Sequence, residues 1–350
     1  MTTLAESYDA LLLDLDGTVY LGGQPIDHVA PALARAKQQG ARSVFVTNNA
    51  SRPPAEVAAS LAGMGVPAGP DDVLTSPQAA AIMLADRHPA GTRVLVVGAP
   101  WLAESVTNAG LVPVRLAADE PAALVQGHSP DTGWRELAEA CIALRAGVDW
   151  VACNVDSTLP TDRGLLPGNG AMVAALIAAT GLHPRVAGKP ERPLLDAAVR
   201  LVSSERPLVV GDRLDTDIAC AVAAGAPSLL VFTGVSSAAD LLAAVPAQRP
   251  TYLAFDLRGL VEEDHAARIP AATSSSSSLE WSVTPQADSL ILASSRGSSG
   301  NGQSISDASA LRALAMLTAR AWASGLTAIH PQDPAATAAL TRCGLTGVPA

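Results

Sequence analysis

Three short apolar runs, each ending abruptly in polar residues, constrain the fold of this chain more than any other feature. Ala10–Leu13 leads into Asp14-Leu15-Asp16-Gly17-Thr18, and Ser43-Val44-Phe45-Val46 leads into Thr47-Asn48-Asn49. Pro207-Leu208-Val209-Val210 leads into Gly211-Asp212-Arg213-Leu214-Asp215-Thr216-Asp217-Ile218. Runs of four or five apolar residues read as strands covered on both faces, as in a parallel sheet. Helical patterns at 54–63 and 192–202 separate them. Together they predict an α/β fold with a doubly wound, Rossmann-like parallel-sheet core. Such sheets bind ligands outside the carboxyl ends of their strands, where all three polar clusters fall.

The residue types point to phosphoryl transfer. Two carboxylates one residue apart at a strand tip face the same side, because side chains alternate with period two. Asp14 can then attack phosphorus and form an aspartyl-phosphate, splitting one hard step into two. Asp16 can protonate the leaving oxygen and later activate water. Thr47, with the backbone amides of Asn48 and Asn49 after it, can hold phosphate oxygens. Lys189, fixed between Gly188 and Pro190, supplies positive charge. Asp212, with Asp14 and a backbone carbonyl, offers the hard oxygen ligands that Mg²⁺ prefers. Each motif alone has a bland reading: a turn for Asp14 and Asp16, helix capping for Thr47, Asn48, Asp212 and Asp217, and a solvated surface charge for Lys189. Their occurrence in this order, each behind a buried strand or a turn, favours function.

In that order the four motifs resemble those of the haloacid dehalogenase superfamily. The extended signatures Thr47-Asn48-Asn49-Ala50-Ser51 and Gly211 through Ile218 are similar to those of its phosphatase branch with a large α/β cap, which includes p-nitrophenyl, pyridoxal and glycerol 3-phosphate phosphatases. The resemblance covers most of the chain before its serine run. It implies that Asp14 is nucleophile and Mg²⁺ ligand, that Asp16 is acid/base and a ligand through its carbonyl, and that Asp212 completes the protein ligands. Asp217 is similar to a second carboxylate that reaches the metal through water, and Asp215 reads as a loop residue.

The stretch between Thr47 and Lys189 is too long for one crossover. It carries its own strand and helix pattern at 94–97, 100–109, 124–125, 135–146 and 148–153, the mark of an inserted α/β cap. The expected domains are a catalytic core from 1–76 and 184–264, a cap from 77–183, a linker from 265–278 and a small α+β module from 279–350. Within the cap, Asn154 and Asp156 are expected to touch substrate. Gly168 and Gly170 open a helix, either to bind an anion through their amides or, more simply, to let the returning chain pack.

Beyond the serine run, elements at 279–283, 289–293, 307–323, 326–329 and 334–342 form a β-β-α-β-α unit similar to part of a GNAT-type acetyltransferase. Gly300-Asn301-Gly302 is present, but Gly297 stands where the coenzyme A loop of that family carries Gln or Arg. The unit therefore reads as a packing or regulatory module, and a bifunctional protein with an acyl-coenzyme A-binding tail is the alternative from a different class. A capped phosphatase followed by such a tail is similar to glycerol 3-phosphate phosphatases of actinobacterial type. The expected substrate is thus glycerol 3-phosphate, in glycerophospholipid and glycerol recycling, with pyridoxal phosphate and 2-phosphoglycolate as rivals.

Composition narrows the partners. A net charge of −10 argues against nucleic acid or an anionic membrane, and no apolar run reaches membrane-spanning length. No apolar leader precedes the first strand. Cys141, Cys153, Cys220 and Cys343 have neither metal nor redox spacing and read as buried thiols in a reducing compartment. The six histidines are scattered. The expectation is a cytoplasmic enzyme whose partners are a small phosphorylated metabolite and, where it assembles, a second copy of itself.

Overall fold

The computed structural model describes residues 2–161, 163–271, 278, 280–295 and 305–345. The chain divides into two compact units, one from 1–43 with 204–350 and the other from 44–203.

In the first unit Ala10–Leu13 pairs in parallel with Pro207–Gly211, followed by Ser228–Val231 and Tyr252–Ala254. Ala266–Arg268 closes the edge antiparallel. The Leu and Val residues of the inner strands are buried, which is why the sequence reads as unbroken apolar runs rather than alternating ones. Helix Val29–Gln38 turns Val29, Ala32, Leu33 and Ala36 inward, the spacing of a single helical stripe. The register opposes Leu13 to Val210. It therefore delivers Asp14 and Asp212 to the carboxyl end of two adjacent strands.

The C-terminal elements belong to the same unit. Strands Trp281–Gln286 and Ser289–Ser294 form a hairpin, and Ala328–Pro331 pairs in parallel with the second of them. Helix Asp307–Ser324 has two buried faces. Leu311, Leu314 and Ala315 join Ile218, Leu230, Leu241 and Leu253, whereas Ala313, Leu317 and Ala321 join Trp281, Val283, Leu290, Leu292 and Leu340. Trp322 Nε1 donates to the Leu241 carbonyl at 2.9 Å, and the Arg249 guanidinium lies over the Trp322 ring. Arg342 makes two hydrogen bonds to the Asp307 carboxylate, at 2.6 and 3.0 Å.

The stretch expected as a linker, 265–278, needs correction at both ends. Ala266–Arg268 is the edge strand of the sheet, and Ala-Ala-Arg has no β-branched residue to announce it. Ser278 caps the hairpin, its Oγ accepting from the Trp281 N–H at 2.9 Å. Residues 272–277, with most of the serine run, lie outside the described residues, as do Gly297 and Gly300-Asn301-Gly302.

In the second unit Arg42–Thr47, which begins in the first, pairs in parallel with Val73–Thr75. An all-parallel five-stranded sheet follows, in the order Arg185–Val186, Asp149–Ala152, Ala123–Gln126, Arg93–Val97, Val112–Val114. Its helices are Pro100–Asn108, Trp134–Arg145 and Asn169–Thr180. Two of the strands were not foreseen. Val112–Val114 is three residues long and contains a proline, and Arg185–Val186 lies beyond the expected end of the insertion at 183. Helix Ser76–Ala85 was also missed. Ser76, Pro77, Ala79, Ala80, Ala81 and Leu84 are all buried, and a helix covered all round has no polar stripe to reveal its period.

The two-faced helix makes a testable statement about the tail. Removing 272–350 strips Leu311, Leu314 and Ala315 from a core shared with Ile218, Leu241 and Leu253. Each buried leucine lost costs about 2–5 kcal/mol, a large share of the usual stability of a domain. The truncated chain is expected to aggregate or to lose its cooperative unfolding transition in denaturant. A monodisperse truncation that unfolds at the midpoint of the full chain would show that the tail is only appended.

Candidate active site

The carboxyl end of the first unit's sheet carries an acidic cluster. Single ligand oxygens of Asp14, Asp212 and Asp217 lie within 4.8 Å of one another. Asp212 and Asp217 are fully buried and Asp14 partly so. Asp14 hangs from the end of its strand, its N–H donating to the Val210 carbonyl at 2.9 Å. The Val235 N–H donates to Asp212 Oδ2 at 2.7 Å, and the Thr18 hydroxyl to Oδ1 at 3.4 Å. Asp217 stands on a single π-helical turn, Leu214–Ile218, that precedes helix Ala219–Ala224, and its Oδ2 accepts from the Arg213 N–H at 3.1 Å. Such turns recur at functional sites because they aim one extra residue inward. Asp215, read as a loop residue, is exposed and paired with Arg213 at 2.8 Å.

Two glycines make room for Asp212. A Cβ on Gly234 would lie 2.0 Å from Asp212 Oδ2, and one on Gly17, whose φ is +88°, would lie 2.5 Å from it. Backbone from two distant loops thus packs directly on the carboxylate, which only glycine permits. Thr233 ties the loops together by donating to the Gly17 carbonyl at 2.5 Å, and Ser236 Oγ accepts from the Leu214 N–H at 3.0 Å. Sequence reasoning overlooked this loop, 233–236, and assigned no role to Thr18, the last residue of the first motif. The signal was present: Thr233-Gly234 follows the buried strand Ser228–Val231 just as the other polar clusters follow theirs.

Asp16 lies outside the acidic cluster, exposed at the strand tip. Desolvation by the surrounding loop raises its carboxyl above the ordinary range, against the pull of the Gly22 N–H. A carboxyl raised in this way holds its proton more readily, as a proton donor must.

The second unit holds the remaining candidates. Asn48 grips the backbone of Lys189 on both sides: its Oδ1 accepts from the Lys189 N–H at 2.8 Å, and its Nδ2 donates to the Lys189 carbonyl at 2.9 Å. Its Nδ2 also approaches the Asp156 carboxylate at 3.3 Å, and its own carbonyl accepts from Ser76 Oγ at 2.6 Å and Asn154 Nδ2 at 2.7 Å. Asn154 and Asp156, expected to touch substrate, are therefore engaged in holding this loop. Thr47 is buried and its Oγ1 accepts from the Asn49 N–H at 3.1 Å. The Asn49 side chain accepts from the Ser51 N–H and hydroxyl. Lys189 is buried, its Nζ donating to the Val46 carbonyl at 3.3 Å. Gly188 allows this approach, because a Cβ there would lie 2.6 Å from Asn48 Oδ1.

Gly168 and Gly170 do not offer free amides. Their N–H groups donate to the Ser157 and Asp156 carbonyls, and each Cβ would fall 2.2 Å from a backbone oxygen. Close packing explains both. The four cysteines are free thiols. Burial pushes the Cys343 thiol up to about 12 and Cys153 higher still, which leaves both inert.

Comparison with known proteins agrees with this chemistry. A family model described as haloacid dehalogenase-like hydrolase matches residues 11–112, and a second HAD-hydrolase-like model matches 186–260. The chain is 54% identical over 263 residues to the D-glycerol 3-phosphate phosphatase of Mycobacterium tuberculosis, covering 75% of this chain and 74% of that one. It is 35% identical to an acid sugar phosphatase of Staphylococcus saprophyticus, over 74% of this chain and 98% of the relative. The crystal structure of glycerol phosphate phosphatase from Mycobacterium tuberculosis with magnesium superposes with a TM-score of 0.87 at 45% identity, over 99% of this chain and 100% of that one. The same protein with calcium gives 0.88 at 44%. The chain belongs to the haloacid dehalogenase-like hydrolases. Within them it is a phosphatase, like the relatives that match it over most of their length.

The glycine cradle supplies a test. Gly234→Ala forces a methyl group into Asp212 Oδ2, so the carboxylate must move by an ångström or more. Turnover is expected to fall on the order of 100-fold while the circular dichroism spectrum is kept. Wild-type turnover in this variant would show that the position of Asp212 does not matter to the reaction.

Proposed function

We propose that this phosphatase hydrolyses glycerol 3-phosphate through an aspartyl-phosphate on Asp14, with Mg²⁺ held by Asp14, Asp212 and the Asp16 carbonyl. The acidic cluster carries the reading. Three carboxylates within 4.8 Å, two of them fully buried, require compensating positive charge, since crowded like charges cannot all ionise unaided. The donor set is all oxygen, which suits a hard divalent cation. The nearness of Asp217 to the other two favours giving it a place beside the ion as well, whether direct or through water. The substrate is carried over from the 54% identical relative named for it, and the metal from that relative's magnesium-bound structure.

In this mechanism Asp14 Oδ attacks phosphorus as the bond to the leaving oxygen breaks. Asp16 gives its proton to that oxygen, and the alcohol departs. Asp16, now a carboxylate, takes a proton from water as the water attacks phosphorus. The P–O bond to Asp14 breaks, and phosphate leaves with both aspartates restored. Bound Mg²⁺ would offset negative charge on the phosphoryl oxygens and on Asp14. Thr47, the Asn48 amide and Lys189 are assigned to the phosphoryl oxygens, while the Asn49 N–H, which donates to Thr47 Oγ1, steadies the Thr47 side chain. The Asn48 side chain positions Lys189 rather than meeting substrate.

We further assign 1–76 and 187–268 to the catalytic core and 77–186 to a cap that selects the leaving group, the bounds being set by the strand Arg185–Val186 of the inserted sheet and the edge strand Ala266–Arg268 of the core sheet. Among the described residues no helix is long and apolar enough to cross a membrane, and the four free cysteines fit a cytoplasmic setting. A homodimer is the assembly to look for by light scattering.

Asp14→Asn should keep the fold and lose turnover, because an amide cannot attack phosphorus and is a poorer cation ligand. Substantial Mg²⁺-dependent activity in that variant would move the nucleophile elsewhere. For specificity, kcat/KM on glycerol 3-phosphate should exceed that on pyridoxal phosphate when Mg²⁺ is present. Ca²⁺ should bind but not support turnover, since it takes more ligands at longer distances. A tenfold preference for pyridoxal phosphate would replace the proposed substrate without touching the reaction class.

A further inference from the structure

Three asparagine side chains form a row that ends on Lys189, all within the unit 44–203. Asn169 opens the helix Asn169–Thr180, and its Nδ2 donates to the Asn154 carbonyl at 2.6 Å. Asn154 Nδ2 donates to the Asn48 carbonyl at 2.7 Å, and Asn48 Nδ2 to the Lys189 carbonyl at 2.9 Å. Each link has the same form, a side-chain amide donating to the backbone of the next residue in the row. Asn48 closes its link from both sides, since its Oδ1 accepts from the Lys189 N–H at 2.8 Å. Asn154 has no freedom to turn, because its Oδ1 accepts from the Asp156 N–H at 3.2 Å.

Asn169 is the link that packing does not explain. It is only 2% exposed, yet its Oδ1 has no hydrogen-bond partner among the described residues. An unpaired buried acceptor is unfavourable, and Val173 and Leu176 of the same helix fill buried places without that cost. The side chain's bonds are both made by Nδ2, to Asn154 and, at a longer 3.4 Å, to the Gln126 carbonyl at the end of strand Ala123–Gln126. An amide that leaves its acceptor idle serves through its donor. The base beneath it is stiff. The Gly170 N–H donates to the Asp156 carbonyl and the Gly168 N–H to the Ser157 carbonyl. A Cβ on Gly168 or Gly170 would fall 2.2 Å from the carbonyl oxygen of Asp156 or Val155. The start of the helix therefore lies backbone against backbone on the segment that carries Asn154.

We propose that Asn169 is a positioning residue for phosphoryl transfer, acting through Asn154 and Asn48 to hold Lys189 where the phosphoryl oxygens bind. The proposal rests on the assignment of Lys189 to those oxygens. Hydrogen bonds in a dry interior are stronger than in water and rigidify what they join, and Lys189 is itself buried, its Nζ donating to the Val46 carbonyl at 3.3 Å. A shift of its backbone is thus passed on to the charged group. The insertion 77–186 thereby gains a second task. Besides selecting the leaving group, it supplies Asn154 and Asn169 to brace a charge that the reaction uses.

The test is a double-mutant cycle in the full-length enzyme. Its substrate is p-nitrophenyl phosphate, so that the natural leaving group does not enter. Asn169→Ala should lower kcat/KM on the order of tenfold and weaken inhibition by inorganic phosphate by a similar factor. The Mg²⁺ concentration for half-maximal activity should stay at the wild-type value. In a Lys189→Met background the same substitution should cost less than about twofold, since the group it positions is gone. An equal loss in both backgrounds would make Asn169 a structural residue only and overturn the proposal, as would wild-type kinetics in Asn169→Ala. A Lys189→Met enzyme with wild-type kcat/KM would remove the assignment of Lys189 and the proposal with it. If Lys189→Met does not fold, the single variant decides: phosphate inhibition and Mg²⁺ activation weakening together would overturn the proposal. Alanine is favourable in a helix, so Asn169→Ala is expected to fold, and its melting temperature checks this.

Discussion

The crowding of Asp14, Asp212 and Asp217 is the constraint around which the first unit is arranged. Like charges a few ångströms apart repel strongly, and burial removes the water that would screen them. The protein answers with hydrogen-bond donors placed on the charged oxygens: the Val235 N–H and Thr18 hydroxyl on Asp212, and the Arg213 N–H on Asp217. These donors come from three loops far apart in sequence. Only a parallel sheet with its strands in register brings their tips to one edge. Gly17 and Gly234 are then required because the loops must pass closer to Asp212 than any side chain would allow.

The second unit solves a different problem, that of holding a lysine in a fixed place without a regular element to carry it. Lys189 lies between the strand Arg185–Val186 and the helix Pro193–Val202, in a segment with no ladder of its own. Asn48 supplies the missing pairing, since its amide accepts and donates to the two backbone groups of Lys189 as a neighbouring strand would. Asn154 and Ser76 in turn fix the Asn48 carbonyl. Loss of any one would leave buried polar groups unpaired, at about 1–3 kcal/mol each. Asparagine suits position 48 for its shape: aspartate would have no donor and leucine neither donor nor acceptor.

Much of this was legible in the sequence, and the reasons are local. The strands at 10–13, 42–47 and 207–211 announce themselves because burial on both faces leaves unbroken apolar runs, and the residues that follow carry the chemistry in a recognisable order. The tail's helices and strands were placed within a few residues for the same reason of pattern. What stayed hidden depended on tertiary partners. Nothing about the letters Asn154 or Asp156 says that they brace Asn48, and nothing about Ala266-Ala267-Arg268 says that it will find the edge strand Tyr252–Ala254. Helix Ser76–Ala85 was silent because it is buried all round, whereas the 233–236 loop shows its polar residues behind a buried strand and hides only its role, the approach of backbone to a carboxylate contributed by another loop.

The tail extends the same logic to a part of the chain that carries no assigned chemistry. The staphylococcal relative is matched over 98% of its length by only 74% of this chain, so a stretch as long as the tail has no counterpart there. A phosphatase of this family can therefore close its core without one. Here the sheet's outer layer has been given apolar residues instead: Leu241 and Leu253 meet Leu311 and Leu314, and Ile218, the neighbour of Asp217, lies in the same cluster. The packing beneath the turn that presents Asp217 is thus continuous with a helix nearly a hundred residues further along the chain. Once that surface became apolar, the helix ceased to be optional, because exposing it would forfeit its burial and invite association. The serine run joins two parts of one folded unit, and the tail is tied to the rest of that unit by its core-facing helix.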